Sequence, residues 1–274
     1  MDTVIKRQIL NNDCYITYVD VSKSILRAKK IHNLKKLSQN LMARLFINLA
    51  YMSSNLKNES DKLTINVRTE GVAENVLGVG DYNLNLRGFI DNSNIDYSTN
   101  DKESELKDVV KGGRITVIKS MGLKEPYTGS AQITNKNIIE DFCSYYKYSE
   151  QNETKVVVLN KSCTRAIFIN LYPFASKSLL LEAERVIREN KKLFKSDNIK
   201  EALESLFGES EIISRKVKYK CNCSRSYIKK ILITMGKSEL ESIIEENGKV
   251  EVNCQFCEKN YTFNKEDVQK LFKN

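Results

Sequence analysis

The sequence predicts an α+β protein with a large N-terminal domain of helices and mostly antiparallel sheet, a helical connecting region, and a small C-terminal domain organised around four cysteines. Three observations carry this. Short β-branched and apolar runs alternate with polar residues through most of the first 175 positions. Residues 176–220 then change to amphipathic helical spacing without Gly/Ser or Pro richness, so they are not a flexible tether. The last 54 residues, 221–274, hold four of the seven cysteines in two close pairs.

The elements follow in order. Val4 to Leu10 and Cys14 to Val21 are β-rich, separated by the turn cluster Asn11, Asn12 and Asp13. From Ser22 to about Asn55, Ile25, Leu26, Ile31, Leu34, Leu37, Leu41 and Leu45 keep helical spacing, predicting two helices broken between His32 and Lys36. Leu63, Ile65 and Val67 predict a strand. So do Leu84 and Leu86 beyond a turn at Gly80 and Asp81, and Ile115 and Val117 after Gly112 and Gly113. Val156 to Leu159 and Ile167 to Ile169 are apolar enough for interior strands. A helix is expected over 137–148, and Pro173 closes the domain.

Two amphipathic helices come next, one over 178–193 and one capped by Asp197 and closed by Gly208. In the C-terminal part, Val217 and Tyr219 suggest a short strand. Ser224 caps a helix that Gly236 ends, and Ser238 with Glu241 forms a capping-box pattern. Asn247 and Gly248 suggest a hairpin turn into Val250 and Val252, and a last helix starts at Asn264.

The chain of 274 residues suffices for one large domain and a small one. Its net charge of +9 admits a nucleic-acid or acidic-membrane partner, or a solvated basic surface. The start, Met1 to Asp13, lacks the apolar core of a secretory signal. The longest apolar stretch, Leu41 to Met52, is too short to span a bilayer and is read as a buried helix. These features lead us to expect a cytoplasmic protein without a membrane partner. In a reducing compartment, clustered cysteines bind metal or do redox chemistry more often than they form permanent disulfides.

Cys221 and Cys223 are separated by one residue, Cys254 and Cys257 by two, with 30 residues between the pairs. Two chelating thiolate pairs supply the tetrahedron that Zn²⁺ takes, and soft sulfur favours zinc over magnesium or calcium. A unit this small also gains from a metal staple worth on the order of 10 kcal/mol. The spacing alone fits a structural zinc ribbon as well as a regulatory site. Each pair is close enough for a local disulfide once metal leaves, and zinc-held thiolates are the form that oxidants attack. Cys14, Cys143 and Cys163 lie in apolar surroundings and read as buried thiols.

Other candidates read more plainly. His32, the single histidine, sits among basic residues and is expected on an exposed helix face. Gly78 and Gly80, and Gly112 with Gly113, lack a phosphate loop's strand–turn–helix setting and read as turns. Asp141, Glu150 and Glu153 are expected at solvated positions, and Arg27 to Lys36 on a solvated basic face. From Cys221 onward nine Lys/Arg face eight Asp/Glu, a balance that argues against a nucleic-acid-reading module. A zinc-stabilised nucleic-acid binder and a thiol–disulfide oxidoreductase using Cys254 and Cys257 are the alternative readings.

The residues also resemble a known family. Cys221-Asn222-Cys223-Ser224-Arg225, Met235-Gly236 with Glu239-Leu240, and Val252-Asn253-Cys254-Gln255-Phe256-Cys257 followed by Tyr261 and Phe263 are similar to the redox-regulated heat-shock chaperones of about 33 kDa, the HslO proteins. So are Leu86-Arg87-Gly88-Phe89, Gly112 to Val117, Pro126 to Gly129, and Ser149-Glu150-Gln151 with Thr154. The chain departs from the family pattern at Glu153, Arg165-Ala166 and Ser226-Tyr227.

The resemblance implies an ATP-independent holdase, not an enzyme. It would be zinc-bound, monomeric and inactive when reduced. Oxidative stress would form disulfides Cys221–Cys223 and Cys254–Cys257, release zinc and unfold the connecting region. The activated form would dimerise and bind unfolding client proteins. The expected domains are 1–175, a helical linker 176–220, and a zinc-binding redox switch 221–274. If the last of these helps cover the linker helices, its loss exposes Leu180, Ile187, Leu203, Leu206 and Phe207.

Overall fold

The alternating run at the start of the chain forms β1 (Thr3–Ile9) and β2 (Cys14–Asp20), paired antiparallel with Thr3 opposite Asp20. The structure, a computed structural model, describes residues 1–9, 13–98, 102–122, 124–134, 137–195 and 198–272, so Asn11, Asn12 and Asp197 lie outside the described residues. It divides into two units, Met1–Tyr219 and Lys220–Asn274.

In the first unit, α1 (Ser22–His32) and α2 (Lys36–Ser53) are separated by Asn33, whose φ of 49° is the left-handed conformation that asparagine tolerates at a helix end. Sixteen of the eighteen α2 residues are buried, so the apolar stretch is a central core helix. Next come β3 (Lys62–Thr69), β4 (Asn75–Asp81), β5 (Asn85–Ile90), α3 (Lys102–Val110), β6 (Gly113–Ser120) and β7 (Tyr127–Ile133). They are followed by α4 (Ile138–Ser149), β8 (Thr154–Val158) and β9 (Arg165–Leu171). The remainder is α5 (Lys177–Glu189), a 3₁₀ turn at Leu193–Lys195, α6 (Ile199–Phe207), β10 (Ile212–Lys216) and β11 (Lys218–Tyr219).

Two sheets result. One runs β10-β1-β2-β9-β8 and is antiparallel throughout. The other runs β11-β5-β4-β3-β6-β7 and is antiparallel except for β11 against β5. Helix α2 packs against strands of both. The sequence suggests turns at Gly78 and Gly80, where the structure has strand β4. These glycines instead admit α2: a Cβ at Gly78 would lie 3.0 Å from Leu49 and one at Gly80 2.2 Å from Ser53 Oγ.

Strand β9 is buried on both faces. Phe168 joins the α2 core and stacks on Tyr51 at 4.0 Å, while Ile167 and Ile169 face a second core. In that second core Leu180 and Ile187 of α5, Phe194, and Leu203 of α6 pack with Ile5, Ile16 and Ile169. The described residues of 176–219 are therefore built into the first unit, and β10 pairs with β1, Val4 opposite Arg215. The helix stripes expected to need cover from the C-terminal part have it here, on the outer face of the five-stranded sheet. Each such side chain contributes about 1.5–3 kcal/mol by burial. Arg7, 3 % exposed, donates from Nη2 to Gly208 O at 2.7 Å and so holds the end of α6.

The second unit consists of α7 (Arg225–Met235), α8 (Lys237–Asn247), β12 (Val250–Cys254), β13 (Lys259–Phe263) and α9 (Lys265–Leu271). Its core is Ile228, Leu232, Leu240, Ile244, Val250, Tyr261, Phe263 and Val268. Two local readings change. Gly236 caps α8 without a side-chain hydrogen bond, so Ser238 and Glu241 form no capping box. Gly248, left-handed at φ 74°, ends α8; the hairpin is β12–β13.

Candidate metal centre

Cys221 and Cys223 occupy irregular chain immediately before α7. Ser224 fixes that helix start, its Oγ accepting from Tyr227 N at 3.1 Å. Cys254 ends β12 and Cys257 lies in the hairpin turn. There Cys257 N and Glu258 N donate to Cys254 O at 3.0 and 2.8 Å, and Glu258 takes a left-handed φ of 56°. That tight turn brings two thiols to one side of the hairpin end.

The four sulfurs all lie within 4.8 Å of one another. Cys221 Sγ is 3.7 Å from Cys254 Sγ, and Cys223 Sγ is 3.3 Å from Cys257 Sγ. A tetrahedron with sulfur about 2.3 Å from its centre has edges of about 3.8 Å. The donor set and the spacing therefore fit one thiophilic divalent cation, and the residues that would hold it are Cys221, Cys223, Cys254 and Cys257. All four are half-buried.

The thiols are not equivalent. Burial pushes the Cys221 thiol well up, and burial with the contact to Cys223 pushes Cys257 up to about 11. Burial also acts upward on Cys223, but hydrogen bonds outweigh it, first that of Tyr261, and bring it down to about 7. Tyr261 donates its hydroxyl to Cys223 Sγ at 3.2 Å. The sequence motif contains Tyr261, but the spacing gave no sign of this role. Also unforeseen is Arg225, which donates to Thr262 O at 2.9 Å and lies over the Phe263 ring at 4.2 Å.

The other candidates sit elsewhere. His32 is half-buried, not exposed, and its Nε2 lies 3.2 Å from the Tyr219 hydroxyl. Asp141 is fully buried and accepts from Thr134 N at 2.9 Å. Glu150 is drawn into the fold, pairing with Lys119 at 2.6 Å and accepting from the Tyr145 hydroxyl at 2.8 Å, whereas Glu153 makes a surface pair with Lys177 at 2.9 Å. Arg27, Lys29, Lys30, Lys35 and Lys36 are exposed. Cys14 and Cys163 are buried and Cys143 half-buried. No helix among the described residues is long and apolar enough to cross a membrane.

Comparisons with known proteins find relatives along nearly the whole chain. The family model described as Hsp33 protein matches residues 2–264. The 33 kDa chaperonin of Lachnoclostridium phytofermentans is 29% identical over 287 residues, covering 99% of this chain and 98% of that protein. That of Acetivibrio thermocellus is 30% identical over 268 residues, covering 91% and 89%. The crystal structure of the 33 kDa chaperonin from Thermotoga maritima shares the fold, with a TM-score of 0.81 at 23% identity, covering 98% of this chain and 97% of that one.

Proposed function

This chain belongs to the Hsp33 family of chaperones, and on that premise we propose that it is a cytoplasmic, ATP-independent holdase switched on by oxidation of Cys221, Cys223, Cys254 and Cys257. The observation that carries the reading is the gathering of these four thiols in a unit whose apolar core is only eight buried side chains. A bound Zn²⁺ would hold the four sulfurs as thiolates and staple that small core.

In the oxidation step, one sulfur of a pair attacks peroxide and becomes a sulfenic acid as the O–O bond breaks and water leaves. The second sulfur attacks the first, the S–S bond forms and the second oxygen leaves as water. Each disulfide thus takes two electrons from its two thiolates, and two protons from solvent carry the departing oxygens off as water. By the family resemblance the pairs are Cys221–Cys223 and Cys254–Cys257. Both together use all four donors, so the unit keeps no metal site and its core is too small to stay folded.

Within the linker, residues 176–220, helices α5 and α6 then leave the five-stranded sheet. Release exposes Leu180, Ile187 and Leu203 together with Ile5, Ile16 and Ile169 opposite them. Apolar surface on that scale binds unfolding clients and favours association of two activated copies, whereas the reduced monomer keeps it covered.

The test is light scattering from a heat-unfolding client, with the reduced zinc-loaded protein and with the peroxide-treated protein. Protection only after oxidation is expected. Equal protection in both states would sink the switch.

A further inference from the structure

Between α4, β8 and α5 the first unit opens into a cavity of about 790 Å³, within the size range of small-molecule sites. One wall belongs to the core and another to α5. Six Lys/Arg side chains line it against three glutamates. Two of those glutamates are already engaged: Glu184 with Arg188 at 2.7 Å and Lys155 at 3.7 Å, Glu153 with Lys177 at 2.9 Å and Lys147 at 3.8 Å. Lys161 and Lys191 have no carboxylate within 4.0 Å among the described residues.

Arg44, 4 % exposed, lines the cavity from α2, with its Nε donating to Asn40 Oδ1 at 2.8 Å and its Nη1 to Asn137 Oδ1 at 2.9 Å. Burial and the neighbouring charge of Arg188 lower the pKa of Lys191, so its ammonium lacks a compensating anion. Tyr148, largely exposed, also lines the cavity, with Lys147 Nζ 5.5 Å from its ring centre.

We propose that this cavity binds a small polyphosphorylated molecule on Lys161 and Lys191, and that the bound molecule, spanning the β8–β9 connection and the turn after α5, restrains release of the linker. Cations from separate elements suit a ligand with several charges, and guanidinium and ammonium groups are the usual partners of phosphate oxygens. A ligand that binds only the docked form shifts the docking equilibrium in its favour, about 100-fold at 100 times its Kd. The binding claim stands on the cavity; the restraint rests on the holdase reading.

The test is calorimetric titration of the full-length, reduced, zinc-loaded protein with tripolyphosphate and, separately, with ATP. Saturable one-to-one binding is expected, weakened at least about tenfold in Lys161→Ala/Lys191→Ala, a loss of about 1.4 kcal/mol. Lys29→Ala/Lys30→Ala, on the exposed face of α1, should bind as the parent does. Tighter binding of ATP than of tripolyphosphate, lost in Tyr148→Ala, would identify a nucleotide; equal binding would identify an inorganic phosphate chain. Heats that do not saturate, or equal losses in both lysine pairs, would overturn the site. If binding saturates but peroxide activates the protein at the same rate with and without ligand, the restraint is overturned and the site stands. Failure of any oxidant-dependent protection would remove the holdase reading and leave the binding result untouched.

Discussion

Arg225 Nη2 is ion-paired with Asp267 Oδ2 at 2.9 Å, joining the residue two places after the first cysteine pair to the last helix of the chain. The same carboxylate accepts from Asn264 N at 3.2 Å and completes the capping box of α9. One side chain thus ties the approach to the metal centre, the hairpin and the final helix together. Arg225→Ala should destabilise the C-terminal unit by about 1–2 kcal/mol, more than an exposed ion pair alone because the ring contact and the carbonyl bond are also lost. A chelator should then strip zinc several-fold faster, and Arg225→Lys should restore only part of the difference because it lacks the fork. Chelator-competition kinetics measure this.

Serine at Cys254 or Cys223 should lower zinc affinity by at least about 100-fold, since a four-sulfur site loses one thiolate. Metal content after dialysis gives the affinity loss. The amide dispersion of residues 225–272 should collapse in the same sample, while that of β1 to β9 persists.

Peptide mapping after peroxide at elevated temperature should find Cys221 joined to Cys223 and Cys254 to Cys257. The closest sulfurs, Cys223 and Cys257 at 3.3 Å, come from different pairs, so cross-linked peptides in their place would overturn the local pairing. Cys14 and Cys143 should remain alkylatable only after unfolding. Burial pushes both thiols up to about 11, which leaves little thiolate at neutral pH.

Arg7 is a costly anchor. Its Nη2 holds Gly208 O, but its Nη1 is buried without a hydrogen-bond partner. Arg7→Met keeps the aliphatic stem and removes the incompletely paired charge, and should stabilise the docked α6 by about 1 kcal/mol and slow activation. Arg7→Ala removes the stem as well and should speed activation by a similar amount. Hydrogen exchange of the α6 amides, compared between the two variants, reads the sign directly.

Lys6 gives a pH signature. Burial, then the charge of Arg215, lowers its ammonium to about 8 in the folded chain. Between about 8 and the model-peptide value of about 10.4 the unfolded chain binds more protons than the folded one, so stability rises with pH across that window. Lys6→Met should flatten the rise in denaturant midpoints measured from pH 7.5 to 10.5.

Legibility in the sequence followed the distance over which each feature is decided. The cluster of thiols is set by two motifs of three and four residues, and all four cysteines that the fold gathers are legible in the sequence. The α2 helix was legible because its apolar run has no exposed face to conceal. The β4 strand was not, because Gly78 and Gly80 are chosen for the close passage of α2, a contact made far along the chain. The stripes on α5 and α6 announced that something covers them, but the covering residues, Ile5 and Ile16 among them, lie more than 160 positions earlier. Tyr261 and Arg225 act through partners 38 and 42 positions away, beyond any local pattern.

Strand β9 divides its side chains between two cores, with Phe168 on one side and Ile167 and Ile169 on the other. The first unit is therefore layered, with α5 and α6 on the outer face of the five-stranded sheet and α2 against strands of both sheets. Heating should melt it in stages rather than at once. On the proposed holdase reading, the first stage would leave a standing scaffold with a freshly bared apolar wall, a better surface for capturing a disordered chain than a collapsed globule would be.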